Sequence, residues 1–206
     1  MHFIANLSLL FPDSIVFAER CARVAAQGFK QVELLFPYTD PISNYCQALK
    51  DHDLDVVVIN TPIHSGQLGA AALTGYEELF KRGFDQAVSH ALNLKAKAIH
   101  VMAGKTANDP TCFNTLTKNL RWALDQIKET GLLLQLEALN RQDAPDYTYW
   151  SALQILPILQ EINHPQLRLQ FDFYHSLKEQ LPLVETLSTV YPWISYVQLA
   201  NPLGRH

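Results

Sequence analysis

Short, β-rich apolar runs alternate along this chain with longer stretches in which apolar residues recur every three or four positions. This alternation constrains the fold more than any other feature, because strands joined by crossover helices form parallel sheets. Each strand except the last is followed by a helix. The pattern predicts strands at 2–6, 30–36, 54–60, 97–102, 131–138, 167–173 and 194–199, and helices at 14–27, 41–52, 76–93, 112–129, 150–161 and 180–190.

Parallel strands of this kind form either an open doubly wound sheet or a closed barrel. The open type usually carries a glycine-rich phosphate turn after its first strand, whereas here the first strand is followed by NLSLLFPDS, which contains no glycine. The barrel is therefore favoured. No linker, charge run or repeat of fixed period divides the chain, so the prediction is one domain over residues 1–206. Pro157 lies inside the fifth helix and predicts a kink or a break there.

Polar side chains close the apolar runs, and in a parallel barrel the chemistry lies at the C-terminal ends of the strands. Glu137 and Asp172 end neighbouring strands, where two carboxylates directed into one mouth would repel each other. A divalent cation between them removes that repulsion, and with the amide oxygen of Gln198 the set suits Mg²⁺ or Mn²⁺. The alternative is that each side chain is hydrogen-bonded to a neighbouring loop. The residues that close the seven runs are Asn6, Glu33, Asn60, His100, Glu137, Asp172 and Gln198.

Two further side chains near these strand ends could hold a substrate. His175 follows Asp172 in QFDFYH, and Arg205 follows the last strand in NPLGRH. An imidazole can donate to a carbonyl oxygen, and a guanidinium group suits a carboxylate. The alternatives are an ordinary loop histidine and a solvated loop arginine. His100 lies inside a strand, where a core histidine with satisfied hydrogen bonds is expected rather than a metal ligand.

Charge and hydropathy exclude two classes of partner. Sixteen basic against 20 acidic side chains give a formal charge of −4, so nothing suggests a field that would hold a nucleic acid. The N-terminus lacks the basic and apolar regions of a signal peptide, and no apolar run approaches the ~20 residues that a membrane span needs. We therefore expect a cytoplasmic protein that binds neither nucleic acid nor membrane.

Several segments follow one another in a specific combination along the whole chain: FIANLSLLF, GFKQVELLFPY, VVVIN, AIHVMAGK, LQLEALNRQDAPDY, LRLQFDFYH and YVQLANPLGRH. In this order they resemble successive units of the hydroxypyruvate isomerases, in the xylose isomerase-like (AP endonuclease family 2) barrel superfamily. The resemblance implies a (β/α)₈ TIM barrel that interconverts hydroxypyruvate and tartronate semialdehyde by metal-assisted proton transfer through an enediolate.

The same resemblance implies roles for individual residues. The family holds a divalent ion with Glu, Asp, Gln and a second Glu, and Glu137, Asp172 and Gln198 match the first three. His175 and Arg205 match the residues that hold the substrate oxygens, and Glu137 is the expected proton-transfer group. Related sugar 3-epimerases have a histidine at the position of Gln198, so this residue argues against the alternative of a sugar isomerase or epimerase.

Two features depart from the family pattern. The second glutamate belongs to an eighth strand, and no residue of 1–206 matches it, so the prediction is an incomplete barrel with seven strands and without the eighth β/α unit. The loop TPIHSGQLGAAALTG also lacks the Gly-Asp-Trp character expected there. We expect weak binding of the ion and little activity, since losing one of two proton-transfer groups costs about 10²–10⁴-fold.

An incomplete barrel would leave strand edges and apolar faces exposed. We therefore expect a homo-oligomer that forms through these edges, alongside a small hydroxy-carbonyl acid as substrate. A third alternative is a non-catalytic protein that retains the fold for binding or assembly. DNA-repair endonucleases share this barrel, but they need more metal-binding histidines and a basic groove, and neither is evident in this chain.

Overall fold

The structure is a computed structural model that describes residues 2–12, 14–64, 66–107 and 109–204. Strands and helices alternate along it as the sequence predicts. The strands are β1 (Ala5–Asn6), β2 (Gln31–Leu34), β3 (Asp55–Asn60), β4 (Ala98–His100), β5 (Leu133–Leu136), β6 (Leu167–Asp172) and β7 (Ile194–Gln198). The helices are α1 (Phe17–Ala26), α2 (Ile42–Asp51), α3 (Glu77–Asn93), α4 (Cys112–Ile127), α5 (Ala152–Ile162), α6 (Phe173–Lys178) and α7 (Leu183–Val190), and a 3₁₀ turn covers Tyr191–Trp193.

The strands follow one another in the order β1-β2-β3-β4-β5-β6-β7, so each strand neighbours the next one in sequence. The pairs β1–β2, β2–β3, β5–β6 and β6–β7 are parallel. Their register places Asn6 opposite Glu33 and Asp172 opposite Gln198. The predicted order of seven strands with crossover helices is therefore confirmed, and polar strand-end residues stand side by side.

Two compact units make up the chain. In the first unit, β2 and β3 contribute the buried residues Val32, Val56 and Ile59, and the inner face of α1 contributes Cys21 and Val24. Burial raises the pKa of the Cys21 thiol to about 12, so this thiol stays protonated. The first unit comprises Met1–Pro62 and Gly83–Ile99, and the second comprises Ile63–Arg82 and His100–His206.

In the second unit, β5 and β6 are buried on both of their faces, as is usual for parallel strands that helices cover. Leu134 and Leu136 are fully buried, and the intervening Gln135 is buried too. A helical stripe of α4 packs in the same core and includes Leu116 and Leu120. Polar side chains such as Gln135 therefore lie inside the core beneath the strand ends, where each one needs a hydrogen-bond partner.

Local signals explain where α5 begins and how it ends. Ser151 caps the helix through its hydroxyl group, which accepts the Leu153 N–H, and Gln154 completes a capping box. Asn163 ends the helix in the left-handed conformation. The helix continues through Pro157 from Ala152 to Ile162, so the chain does not break at that proline.

The chain after β6 departs from the predicted pattern. The sequence predicts a strand to residue 173 and no helix before residue 180, but β6 ends at Asp172 and α6 begins at the next residue. The carboxylate of Asp172 accepts the Tyr174 N–H at 2.8 Å and so caps α6. This short helix is what carries His175.

The loop after β3 packs closely on the end of β4. Gly69 bridges to Ala103 in antiparallel fashion, and the N–H groups of Ala71 and Ala72 donate to the carbonyls of Met102 and Ala103. Gly69 has a φ of +112°, and a side chain there would place its Cβ 2.1 Å from the Met102 oxygen. Only glycine fits this approach.

Among the residues that the structure describes, no helix has both the length and the apolar character that crossing a membrane requires.

Candidate active site at the ends of β5, β6 and β7

The predicted ligands lie at the C-terminal ends of three consecutive strands. Glu137 follows β5 directly, Asp172 ends β6 and Gln198 ends β7. The parallel register puts Asp172 directly opposite Gln198, and α6 adds His175 one helical turn after Asp172. The alternation of strand and helix therefore brings together residues that are far apart in the sequence.

Glu137, Asp172 and His175 form a buried cluster whose ligand atoms lie within 4.8 Å of one another. Nε2 of His175 is 3.7 Å from Oε1 of Glu137 and 3.6 Å from Oδ2 of Asp172. The exposed fractions of these residues are 5%, 6% and 3% in chain order. Two carboxylates held this close together and out of water create a strong field for a positive charge or a hydrogen-bond donor.

Gln170 links the predicted ligands to one another. Its Nε2 atom donates to Oε2 of Glu137 at 2.7 Å and to Oε1 of Gln198 at 2.8 Å. The sequence prediction missed this residue, although a signal was present, because a strand has a period of two and Gln170 therefore shares the face of Asp172. Gln198 thus joins the cluster through Gln170.

His100 lies beside the same carboxylate. Its Nδ1 atom is 3.3 Å from Oε2 of Glu137, and its side chain is 1% exposed. Burial lowers the pKa of His100 to about 3, so the ring is neutral at physiological pH. His100 is a buried core histidine as expected, but neither ring nitrogen makes an aligned hydrogen bond to a described residue. The prediction that the ring of His100 has satisfied hydrogen bonds is therefore wrong.

The hydrogen bonding of His175 fixes the position of its ring proton. The backbone N–H of Asn140 points at Nδ1 of His175, at an N–N distance of 3.0 Å. A backbone N–H can only donate, so Nδ1 is an acceptor and the ring proton lies on Nε2. The Nε2–H group of His175 therefore faces Glu137 and Asp172 as a donor, and it has no lone pair to offer a metal.

The remaining oxygen donors fit a hard divalent cation. Glu137 and Asp172 provide carboxylate oxygens, Gln198 provides an amide oxygen, and Mg²⁺ and Mn²⁺ prefer such ligands. Of the predicted site residues, the structure brings Glu137, Asp172 and His175 into direct proximity and connects Gln198 to them. Arg205 lies outside the described residues.

The strand-end residues of the first unit have local partners. The side-chain amide of Asn6 donates to the buried carboxylate of Glu33, and the hydroxyl of Tyr38 donates to the Asn60 carbonyl. A cavity of about 590 Å³ adjoins the ends of β1 and β2 and is lined mainly by apolar side chains such as Leu7 and Phe36. The contact between Asn6 and Glu33 is a hydrogen bond between neighbouring strand-end side chains, whereas Asn60 takes part through its backbone carbonyl alone.

Comparison with known proteins gives consistent results. The sequence model of the xylose isomerase-like TIM barrel family matches residues 21–206. The hydroxypyruvate isomerase of Escherichia coli is 30% identical over 210 residues, which cover 98% of this chain and 80% of that protein. The 2-oxo-tetronate isomerase of Haemophilus influenzae is 31% identical over 210 residues, which cover 99% of this chain and 81% of that protein.

The fold agrees with a solved structure as well. A crystal structure described as an AP endonuclease, family 2, from Brucella melitensis superimposes with a TM-score of 0.91 and 31% sequence identity. The match covers 97% of this chain and 80% of that one. The predicted fold class, a xylose isomerase-like TIM barrel represented here by seven strands, is therefore confirmed.

Proposed function

The chain belongs to the xylose isomerase-like TIM barrel family, and from this membership we propose that it is a hydroxypyruvate isomerase. The observation that carries the proposal is the buried cluster of Glu137, Asp172 and His175 at the strand ends. Relatives named hydroxypyruvate isomerase and 2-oxo-tetronate isomerase match nearly the whole chain at about 30% identity. The proposed substrate is a small hydroxy-carbonyl acid.

The reaction moves a carbonyl group between neighbouring carbons. In hydroxypyruvate, one proton leaves the hydroxyl-bearing C3, an enediolate forms, and a proton returns at C2 to give tartronate semialdehyde. The hydroxyl proton passes from the C3 oxygen to the C2 oxygen, so atoms and charge balance. The protein must therefore provide a base close to C3 and must stabilise the negative charge on the enediolate oxygens.

We propose Glu137 as the proton-transfer group. Gln170 donates to its Oε2 atom at 2.7 Å, so a neutral amide orients this side of the carboxylate, and the neutral ring of His100 lies 3.3 Å from the same oxygen. Its Oε1 atom faces Nε2 of His175 at 3.7 Å. A carboxylate oriented in this way presents one defined oxygen to the substrate.

The proposed cofactor is Mg²⁺ or Mn²⁺, held by Glu137, Asp172 and Gln198, and when bound it supplies positive charge that stabilises the enediolate oxygens. His175 donates its Nε2–H to a substrate oxygen, which is the role that its tautomer favours. Arg205 is proposed to bind the substrate carboxylate, because a guanidinium group pairs with a carboxylate through two parallel hydrogen bonds.

The test is turnover of hydroxypyruvate by the purified chain with Mg²⁺ or Mn²⁺, compared with the variant Glu137→Gln. We expect the variant to lose about 10²–10⁴-fold in turnover, the usual contribution of a proton-transfer group. Glu161→Gln is the matched control, since Glu161 is an exposed glutamate paired with Arg121. Equal turnover by Glu137→Gln and Glu161→Gln would rule out the role of Glu137.

The choice of substrate is part of the same test. The assay includes 2-oxo-tetronate and a ketohexose beside hydroxypyruvate. Preference for 2-oxo-tetronate would keep the site and change the substrate, and preference for the ketohexose would favour a sugar isomerase. Absence of turnover and of metal binding would favour a non-catalytic role for the fold.

We further propose that the chain forms a homo-oligomer through its terminal strands. β7 stands at one end of the strand order, and its neighbouring side chains Val197 and Leu199 are 44% and 72% exposed. Exposed apolar side chains on an end strand offer a surface on which a second copy can pack. Light scattering should show an oligomer that Val197→Lys dissociates, and a monomeric parent chain would refute the proposal.

The single domain and the cytoplasmic location stay predictions.

A further inference from the structure

Both the oxygen and the nitrogen of the Asn140 side-chain amide make hydrogen bonds. Its Oδ1 atom accepts the backbone N–H of Asp143 at 2.9 Å, and its Nδ2 atom donates to Oδ2 of Asp143 at 3.0 Å. A backbone N–H can only donate and an ionised carboxylate can only accept, so these two bonds fix which end of the amide is nitrogen. Asn140 is fully buried, and its amide therefore has one defined orientation.

The second hydrogen of the Asn140 amide points to His175. The distance from Nδ2 of Asn140 to Nδ1 of His175 is 2.7 Å, and the Asn140 backbone N–H points at the same ring nitrogen. Nδ1 thus faces two donors from one residue. Both donors oppose a proton on Nδ1, and the ring proton is left on Nε2.

Asp143 is itself held by a second residue. The Tyr174 hydroxyl donates to Oδ2 of Asp143 at 2.6 Å, and Tyr174 neighbours His175 in α6. Burial raises the pKa of Asp143, but hydrogen bonds from Asn140 and Tyr174, together with nearby positive charge such as that of Lys178, outweigh it and leave this pKa below its ordinary value. Asp143 is therefore an ionised acceptor at neutral pH, as the amide orientation requires.

We propose that Asn140 is a positioning residue that locks His175 in the Nε2–H tautomer, with Asp143 and Tyr174 fixing its amide. Asn140 acts through His175, whose donor group faces Glu137 and Asp172. The lock deepens the proposed function and rests on it for its purpose, because a carbonyl or enediolate oxygen of the substrate can only accept a hydrogen bond and needs a donor from the ring. The tautomer itself is a property of the chain alone.

The test is ¹⁵N nuclear magnetic resonance of the chain with ¹⁵N-labelled histidine, recorded without metal or substrate. His175→Gln assigns the His175 signals, because it removes them from the spectrum. In the parent chain, Nε2 should show the shift of a protonated ring nitrogen and Nδ1 that of an unprotonated one. In Asn140→Asp, an oxygen acceptor replaces the donor, and the Nδ1–H form should rise about tenfold relative to Nε2–H.

Two companion variants keep the test decisive. Asn140→Ala removes the side-chain donor but keeps the backbone N–H, so its tautomer ratio should lie between the other two. Asn93→Asp is the control, since Asn93 is exposed in the first unit and donates to the Ser89 carbonyl, and it should leave the ratio unchanged. Circular dichroism checks that each variant folds.

The outcomes separate this proposal from the proposed function. An unchanged tautomer ratio in folded Asn140→Asp and Asn140→Ala would overturn the lock, whatever the activity. A shifted ratio with unchanged turnover of hydroxypyruvate would support the lock and reject the donor role of His175 in the reaction. A shifted ratio with a matching loss in turnover supports both.

Discussion

At the scale of single residues, Gln170 places one amide nitrogen between two predicted ligands. The bonds from its Nε2 atom to Glu137 and Gln198 orient both side chains before any ion binds. Such outer contacts set ligand geometry, and losing one typically costs 10- to 100-fold in metal affinity, by the order of magnitude known for such contacts. The geometry of the site therefore depends on a residue outside the proposed set of ligands.

We predict that Gln170→Leu lowers the affinity for Mn²⁺ by roughly 10- to 100-fold, because Glu137 and Gln198 lose their shared donor. Titration calorimetry measures the effect. Gln135→Leu is the matched control, since Gln135 is equally buried in the neighbouring strand but donates to the Ser195 hydroxyl instead. Equal losses in both variants would mean that core disruption, rather than ligand orientation, is responsible.

Sequence reasoning identified some of these residues and missed others for physical reasons. Glu137 and Asp172 are visible because each closes an apolar run, and the strand order then brings them together. Asn140 is not visible, because its contact with His175 spans 35 positions and depends on where α6 begins. α6 begins directly after Asp172, which caps the helix and is also the last residue of β6.

At the scale of elements, the long helices could be predicted from periodicity because each is longer than the error in its ends. The strands were placed correctly but predicted too long, as β1 (Ala5–Asn6) against the predicted 2–6 shows. The short helix α6 could not be predicted, because its six residues carry too little periodicity to be distinguished from a strand continuation. The predicted strand 167–173 and the observed β6 (Leu167–Asp172) differ by one residue.

A pair of charges joins α6 to the loop after β5. The backbone N–H of Arg141 and its guanidinium group donate to the carboxylate of Glu179, which follows α6. The guanidinium group also stacks on Trp150, with Cζ 4.2 Å from the ring centre. These contacts hold the segment that carries Asn140 against the helix that carries His175.

This pair predicts a pH-dependent contribution to stability. Hydrogen bonds from Arg141 lower the pKa of Glu179 below its ordinary value of 4.5. A carboxyl group with a lowered folded pKa stabilises the fold above its unfolded pKa and loses that contribution as the pH falls through the folded pKa. At neutral pH, Glu179→Gln should therefore lower the free energy of unfolding by about 1 kcal/mol.

Urea unfolding at several pH values measures this difference, which should shrink as the pH falls below 4.5. Glu161→Gln serves for comparison, since both members of the Glu161–Arg121 pair are exposed and its effect should be small at every pH. A difference for Glu179→Gln that does not change with pH would contradict the prediction.

The loop after β3 provides a prediction about backbone packing. Gly69→Ala should lower the free energy of unfolding by about 2–4 kcal/mol, because it adds a left-handed penalty to a clash with the Met102 carbonyl. Gly28→Ala is the comparison: Gly28 also has a positive φ, +87°, but open space surrounds its Cβ position. Its cost should be about 1 kcal/mol. Similar costs would show that the approach to β4 is not tight.

At the scale of the whole molecule, family membership and the seven-strand order agree, since the match to the Brucella melitensis structure covers 97% of this chain. Sequence reasoning could predict this architecture because alternating strands and helices leave few alternatives. The substrate could not be predicted in this way, because relatives named for two different substrates match this chain almost equally well.

Binding of an ion at the site should stabilise the folded chain. With free Mn²⁺ at about 100 times its dissociation constant, the stabilisation is about 2.7 kcal/mol, or about 5–10 °C in melting temperature for a chain of this length. Asp172→Asn should abolish the shift while preserving α6, because asparagine also caps helices well. Asp125→Asn, in an exposed position of α4, should retain it. If neither Mg²⁺ nor Mn²⁺ shifts the melting temperature, the metal site does not exist in this chain.

The two oxygens of Asp172 have separate duties, since one accepts the Tyr174 N–H and the other faces His175. A ligand bound to Oδ2 of Asp172 would therefore also affect the first turn of α6, which Oδ1 caps. The Tyr174 amide is consequently a natural reporter of occupancy. Its rate of hydrogen exchange should slow when the site fills, which provides a label-free readout at one backbone position.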